Sequence, residues 1–190
     1  MSKGRLEAFS DGVIAIIITI MVLELHVPED GTLAALRPLL PKFLSYILSF
    51  IFLGIYWNNH HHLWQAAKQV NGSILWANMH LLFWLSLIPF ATGWMGEHFS
   101  TIPVALYGGV LWLSGLAYYI MVRAIIAHHG QDSMIAAALG NVTKERLSLT
   151  IYSLAILLAF ISPWISAGLY VVVAVIWLIP DRRIENQLAK

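Results

Sequence analysis

The chain has 190 residues, of which 59% are hydrophobic and 11% are charged, and its mean hydropathy is +0.74. A soluble domain needs a polar shell that this composition cannot supply, so the sequence predicts an integral membrane protein surrounded by the lipid bilayer. A net charge of +1 without a basic stripe excludes the electrostatic footprint of a nucleic-acid-binding protein. The absence of cysteine excludes disulfides and thiolate metal sites.

Six apolar segments follow one another along the chain, and each approaches the roughly 20 residues needed to cross about 30 Å of hydrocarbon. They lie at about 8–26, 43–64, 73–96, 102–127, 145–161 and 164–180. The first is too long for a signal peptide and lacks a small-x-small cleavage site, so we interpret it as a span. No repeat, linker or low-complexity tract divides the chain. We therefore predict an all-α, multi-pass membrane protein with six transmembrane helices in a single domain, residues 1–190.

Lysine and arginine are distributed unevenly between the two sides of such a six-span arrangement. Only Arg37 and Lys42 fall on the side opposite the termini. The side that holds both termini carries Lys3, Arg5, Lys68, Arg123, Lys144, Arg146, Arg182, Arg183 and Lys190. Because cytoplasmic loops of membrane proteins are enriched in these residues, we expect both termini, and the start of the first helix, to be cytoplasmic.

The first segment carries polar residues inside its apolar run. Ser10 and Asp11 lie about two turns from its start. A carboxylate in lipid costs about 3 kcal/mol on insertion scales, so Asp11 should face protein and pair with a donor. Candidate donors at a similar depth are Asn58, Asn59, His60, His61, His62, Asn78 and His80, with Arg123 as a further candidate at the end of the fourth segment. We expect a histidine to pair with Asp11 and to act as a pH-sensitive latch on the first helix.

The three consecutive histidines, His60 to His62, do not predict a metal site. Consecutive helical side chains point about 100° apart, so they cannot chelate one ion together. No His-Glu-x-x-His motif occurs either. We therefore predict no metal site and no cofactor.

The opposite face of the first helix is aliphatic. At about 100° per residue, Phe9, Ile16, Ile20 and Leu23 fall within one narrow stripe with Thr19 beside it, while Asp11 lies about 140° from Ile16. Periodicity alone is compatible with a stripe that faces lipid or a neighbouring helix. Glu24 closes the outer end of this helix. A ring of Glu24 carboxylates would attract cations to a mouth, although a solvated helix end or a subunit contact would explain it equally well.

The string Arg5-x-x-x-Phe9-Ser10-Asp11, at the start of the first of six helices, resembles the signature of the endosomal and lysosomal potassium channels of the transmembrane protein 175 family. Animal members contain two such six-helix repeats, so a chain with one resembles the bacterial branch. The resemblance implies a homotetramer in a bacterial plasma membrane, with the first helices lining the pore and K⁺ as the permeant ion. It also implies a hydrophobic constriction, at positions that correspond here to Ile16, Thr19 or Ile20, and Leu23. The anchoring residues of the lining helix would be Arg5, Phe9, Ser10 and Asp11, together with Asn59, His61, His62 and His80.

The physics of such a constriction can be stated without the family. Apolar rings on an axis stop ions by dewetting, because a cation loses its hydration shell there and receives no oxygen in exchange. No Thr-Val-Gly-Tyr-Gly loop occurs in the sequence. We therefore expect passive conduction with modest selectivity for potassium over sodium.

Two other classes of function fit the sequence less well than a channel. A secondary transporter coupled to protons or cations is the main alternative, but it needs a broken helix and a polar site near the midplane, and the first helix has no Gly or Pro between Val13 and Leu25. An intramembrane enzyme would need an activated nucleophile. Ser10 beside a histidine could mimic one, but a serine at a helix start has an immediate anchoring use and no visible oxyanion donors. The sequence therefore predicts a channel and not an enzyme.

Overall fold

The α-helices of the protein were located in a computed structural model that describes residues 2–28, 30–67, 69–130 and 143–178. A 3-10 helix, Leu33–Leu39, leads directly into the second of them. The α-helices are α1 Lys3–Leu23, α2 Leu40–Ala66, α3 Gly72–Ser86, α4 Ile88–Glu97, α5 Thr101–His129, α6 Thr143–Leu158 and α7 Pro163–Leu178. The predicted all-helical fold is confirmed. Each predicted apolar segment overlaps one of these helices, except that the third segment overlaps two, α3 and α4.

Four helical segments of the described chain are long and apolar enough to cross a membrane. They are Lys3–Leu23, Leu33–Gln65, Gly72–Glu97 and Thr101–His129. α7 is a shorter apolar helix of 16 residues, and the predicted sixth segment continues to residue 180, outside the described residues. α7 begins at Pro163. The N–H groups of the first helical turn have no carbonyl partner within the helix, so a proline there loses no hydrogen bond.

The third span is not one continuous helix. α3 ends at Ser86 and α4 begins at Ile88, and Leu87 between them donates its N–H to the carbonyl of Trp84 at 3.2 Å. Pro89 follows, and its ring nitrogen cannot donate to a carbonyl of the preceding turn. The apolar pattern predicted an unbroken segment here, because a proline alters the hydrogen-bond ladder of a membrane helix without altering its hydropathy.

The helix α5 lies centrally, where it packs against α3, α4, α6 and α7. α1 lies to one side and packs on α2, α3 and α4. The side chains that α1 buries recur at helical spacing and are Leu6, Ser10, Ile14, Ile17 and Met21. The opposite face of α1 is left uncovered by its own bundle, and this division of the helix into two faces defines the candidate site.

Candidate functional site: the two faces of helix α1

The buried face of α1 is tied to α2 and α3 by a chain of polar side chains. Ser10 is fully buried; its hydroxyl donates to the carbonyl of Leu6 at 2.9 Å and accepts from Nδ2 of Asn78 at 3.0 Å. Asn78 Oδ1 lies 2.8 Å from Nε2 of His60, which lies 2.8 Å from the indole nitrogen of Trp64. Buried polar groups of this kind are costly to leave unpaired, so the network fixes the register of three helices.

One ring nitrogen of His60 has two partners with opposite requirements. Trp64 Nε1 can only donate, so it needs a lone pair on His60 Nε2. Asn78 Oδ1 can only accept, so it needs a proton on the same Nε2. Nδ1 of His60 is buried and has no hydrogen-bond partner within the described residues. His60, fully buried at 0% exposure, is therefore the histidine that belongs to the anchor of α1.

Asp11 pairs with a tryptophan, and not with a histidine as the sequence had led us to expect. The indole nitrogen of Trp57 on α2 donates to Asp11 Oδ1 at 3.1 Å. His61, one turn further along α2, pairs instead with Glu7, one turn earlier on α1, with 3.0 Å between Nδ1 and Oε1. The contacts Trp57–Asp11 and His61–Glu7 therefore lie one turn apart along the same interface between α1 and α2, since residues four apart lie on the same face of a helix. An indole can reach Asp11 because its donor lies at the end of a long, flat side chain.

Glu7 is the residue that sequence reasoning missed. Gln65 also lies at hydrogen-bond distance from His61, with 2.8 Å between Nε2 atoms, and the ring of Trp57 stacks on the imidazole at 6.2 Å. The signal was present in the sequence, because Glu7 precedes Asp11 by four residues and therefore shares its face of the helix.

Three other predicted anchors form no hydrogen bond to α1 within the described residues. Asn59 donates to the carbonyl of Ile55 on its own helix at 2.8 Å, and His80 accepts from Trp84, also on its own helix, at 2.9 Å. Nδ1 of His62 is buried without a hydrogen-bond partner among the described residues. Depth in the bilayer places residues at one level but does not decide which way each helix turns them, so an anchoring role for these three residues stays a prediction.

The predicted basic partner of Asp11, Arg123, forms no ion pair with it in the described part of the chain. Arg123 and Arg5 are both exposed, and neither forms an ion pair with a residue in the described part of the chain. Arg5 lies on α1 within its first turns, as expected, but its guanidinium is not part of the buried network.

The exposed face of α1 carries the residues predicted for the constriction. Ile16 is 59% exposed and Leu23 79%, with Ile20 and Phe9 also exposed. Thr19 lies beside them and donates its hydroxyl to the carbonyl of Ile16 at 2.9 Å. The structure therefore brings these residues together on one uncovered strip, which we call the aliphatic stripe: Phe9, Ile16, Thr19, Ile20 and Leu23.

An open groove of about 730 Å³ runs beside this stripe, between α1 and α4. Ile16 and Ile20 form one wall, and Phe90 and Trp94 form the other. The carboxylate of Glu24 lies at the C-terminal end of α1, where Glu97 and His98 also line the groove. The groove is therefore mainly apolar, with acidic groups at one end.

The described residues contain no group of three or more His, Asp or Glu that could hold a metal ion. The polar contacts of α1 are instead structural hydrogen bonds. A bundle of apolar helices, four of which are long enough to cross a membrane in the described part of the chain, is typical of a multi-pass membrane protein.

Comparisons with known proteins identify the family. The sequence model of the family described as endosomal/lysosomal potassium channel TMEM175 matches residues 5–89, which include most of α1 and all of α2 and α3. A potassium channel from Chryseobacterium sp. (strain P1-3) is 59% identical over 189 residues, covering 99% of this chain and 98% of the relative. A potassium channel from Chamaesiphon minutus is 30% identical and covers 90% and 91% of the two chains. The chain belongs to the TMEM175 family.

The fold agrees with this assignment. The crystal structure of a lysosomal potassium-selective channel TMEM175 homologue from Chamaesiphon minutus matches with a TM-score of 0.80 and 29% identity, over 93% of this chain and 96% of that chain. Since this is a family of ion channels, the prediction that the chain is not an enzyme is confirmed.

Proposed function

We propose that the chain is one subunit of a homotetrameric, potassium-permeable cation channel that conducts passively through a central pore lined by the first helices. The relatives named as potassium channels support the permeant ion. The observation that carries the pore assignment is the division of α1, whose polar residues are bound to its own bundle while its aliphatic stripe is uncovered.

The groove beside the stripe supports assembly through α1. A groove of about 730 Å³ offers space for side chains from the first helix of a second copy. The walls are matched in chemistry to such a helix, since Phe90 and Trp94 face Ile16 and Ile20 across it. Membrane helices associate through close packing of complementary surfaces, and a closed cyclic assembly would repeat this contact at every subunit.

The aliphatic stripe would form the constriction of that pore. Rings of Ile16, Ile20 and Leu23 give a cation no oxygen to replace its hydration shell, so a narrow arrangement stops conduction by dewetting. Thr19 uses its hydroxyl proton on the carbonyl of Ile16, which leaves its oxygen lone pairs free to face a cation when the pore is wide enough. Opening then requires only a modest change in the distance between the helices.

The C-terminal end of α1 carries negative charge. Glu24 would raise the local concentration of cations there, while the charge of Glu97 is balanced by its ion pair with Lys42. The distribution of lysine and arginine in the sequence supports a cytoplasmic position for both termini in a bacterial plasma membrane. The end with the two glutamates would then be the outer mouth.

One observation favours the secondary transporter as a second candidate. Transporters coupled to protons or cations use discontinuous helices beside a central cavity, and the break between α3 and α4 lies next to the groove, where Ser86 and Pro89 line it. The groove holds no charged group at that depth, however, since its acidic residues lie at the end. The channel therefore remains the better supported function.

The test is potassium flux through purified protein in liposomes, with the variant Ile16→Asn. Wild-type protein should give a passive flux that follows the potassium gradient. Ile16→Asn should raise leak and reduce the potassium-to-sodium permeability ratio about twofold or more, because an amide at the constriction hydrates it.

The matched control is Leu154→Asn, the same polarity change at a 52% exposed aliphatic position on α6. It should leave the permeability ratio unchanged. Equal behaviour of the two variants would remove the stripe from the pore, and stoichiometric uptake of protons with potassium would establish the transporter. Native mass spectrometry of the same preparation counts the subunits.

A further inference from the structure

Three buried hydroxyl groups lie behind α1, on the side opposite the aliphatic stripe. They belong to Ser49 of α2, Thr92 of α4 and Tyr107 of α5, and none is more than 5% exposed. Ser49 Oγ lies 2.7 Å from Thr92 Oγ1 and 2.9 Å from the hydroxyl of Tyr107. Neither the anchor near Ser10 nor the proposed pore lining includes these residues.

If all of these hydrogen bonds form, the donor and the acceptor of each bond are fixed. Thr92 Oγ1 lies 2.7 Å from the carbonyl of Ile88, which can only accept, so Thr92 is the donor there. Thr92 must then accept from Ser49, and Ser49 must accept from Tyr107. The result is a directed chain from α5 through α2 to α4, in which each hydroxyl has one proton and uses it.

This chain of hydrogen bonds reaches both helices that shape the proposed pore, α4 and α1. Ile88 is the first residue of α4 after the break at Leu87, so its carbonyl fixes the start of the helix that forms the far wall of the groove. Thr92 Oγ1 also lies 4.0 Å from the sulfur of Met21, on the buried face of α1. Met21 is within one turn of the stripe residues Ile20 and Leu23.

We propose that Thr92, held by Ser49 and Tyr107, is a positioning residue for the constriction: it sets how far Met21, and with it Ile20 and Leu23, lies from the bundle. This inference rests on the proposed function. Loss of the Thr92 hydroxyl leaves the Ser49 proton without an acceptor in an apolar site, so α2 and α4 must readjust beneath α1. The barrier at an apolar ring depends steeply on its radius, so a small displacement of α1 changes conduction.

The experiment compares two substitutions at one position. Thr92→Val keeps the shape of the side chain and removes the hydroxyl, whereas Thr92→Ser keeps the hydroxyl. Each variant is reconstituted and its reversal potential is measured under a potassium-to-sodium gradient. Thr92→Val should change the permeability ratio about twofold or more, and Thr92→Ser should restore the wild-type value.

The matched control removes a buried hydroxyl elsewhere. Ser114 on α5 is fully buried and donates to the carbonyl of Val110 on its own helix at 2.8 Å. Ser114→Ala should leave the reversal potential unchanged even if it lowers thermal stability. A merely structural role of Thr92 would give the same pattern, with fewer folded channels but the same ratio, and that result for Thr92→Val overturns the proposal.

A second measurement separates this inference from the proposed function. Wild-type protein that carries no potassium flux would disprove the channel. The position of α1 can still be tested, because the chain has no cysteine and accepts spin labels at chosen sites. The distance between labels at Leu23→Cys and Leu154→Cys, in labelled subunits diluted with unlabelled ones, should shift with Thr92→Val and return with Thr92→Ser. An unchanged distance overturns the positioning role.

Discussion

The N-terminal half of α1 is held by hydrogen bonds, whereas its C-terminal half is held by apolar packing. Ser10 and Asp11 each bond to a side chain on another helix, and Glu7 Oε1 lies at hydrogen-bond distance from Nδ1 of His61. Beyond them, the residues that α1 buries are Ile14, Ile17 and Met21. Hydrogen bonds in an apolar medium require specific distances and angles, while apolar contacts tolerate sliding.

The difference shows where a lining helix of this kind can move. The C-terminal half of α1 rests on α2 and α4, and the ion pair near that end, Lys42 to Glu97 at 2.7 Å, does not involve α1. In the proposed channel, this asymmetry favours a tilt of the C-terminal half about an anchored N-terminal half. Ile20 and Leu23 would then move more than Phe9.

The substitution Asn78→Ala should weaken the anchored N-terminal half of α1 most, because it removes the side chain that bonds to both Ser10 and His60. Both lose a buried partner, so we expect the free energy of unfolding to fall by about 2–3 kcal/mol. This exceeds the roughly 0.6 kcal/mol that is typical of one interhelical hydrogen bond in a membrane. The measurement is an unfolding titration in mixed detergent micelles.

The control for this variant is Asn59→Ala, because the amide of Asn59 bonds only to the carbonyl of Ile55 among the described contacts. Its loss should cost well under half as much. If the two substitutions destabilise the protein equally, the network at Ser10 is not a special anchor, and the two halves of α1 do not differ in the way described above.

A second variant, Gly96→Ala, tests the support beneath the C-terminal half. A Cβ at Gly96 would lie 2.9 Å from Cα of Lys42, so the backbones of α2 and α4 must separate. Overpacking of this kind outweighs the better helix propensity of alanine, and we expect a net loss of about 1–2 kcal/mol in the free energy of unfolding.

The matched substitution Gly54→Ala on α2 should have the opposite sign. No atom lies within 4 Å of a Cβ built there, so only the propensity gain of up to about 1 kcal/mol remains. Destabilisation by both variants would mean that close approach of α2 and α4 is not what supports this half of α1.

The sequence predicted the fold and both faces of α1, but not the individual pairs. Hydropathy locates spans because an apolar run of sufficient length has few other stable environments, and helical periodicity separates Ile16 from Asp11 by a fixed angle. The choice of Trp57 over a histidine depends on the rotation of α2 about its own axis. That rotation is set by packing against helices distant in the sequence, so depth alone could not identify His60 as the buried ring.

The directed hydroxyl chain was invisible for a related reason. Ser49, Thr92 and Tyr107 are polar residues in largely apolar segments, and the sequence does not show whether a buried hydroxyl bonds to its own helix, as that of Ser114 does, or to another helix. Only the three-dimensional arrangement brings them within hydrogen-bond distance of one another. The break at Leu87 likewise follows from Pro89, but its effect on the groove depends on where α1 lies.

The substitution Glu7→Gln tests how much the contact with His61 adds to the N-terminal half of α1, and it should change stability less than the variants above. Glutamine keeps an acceptor for His61 but loses the charge, and both side chains are partly exposed, at 24% and 40%. We expect a loss of less than about 1 kcal/mol in the free energy of unfolding. The measurement is the same unfolding titration in mixed detergent micelles. Glu24→Gln, which removes an exposed carboxylate at the other end of α1, should leave the free energy of unfolding unchanged. Equal effects of the two substitutions would mean that the contact between Glu7 and His61 adds nothing to the N-terminal half of α1.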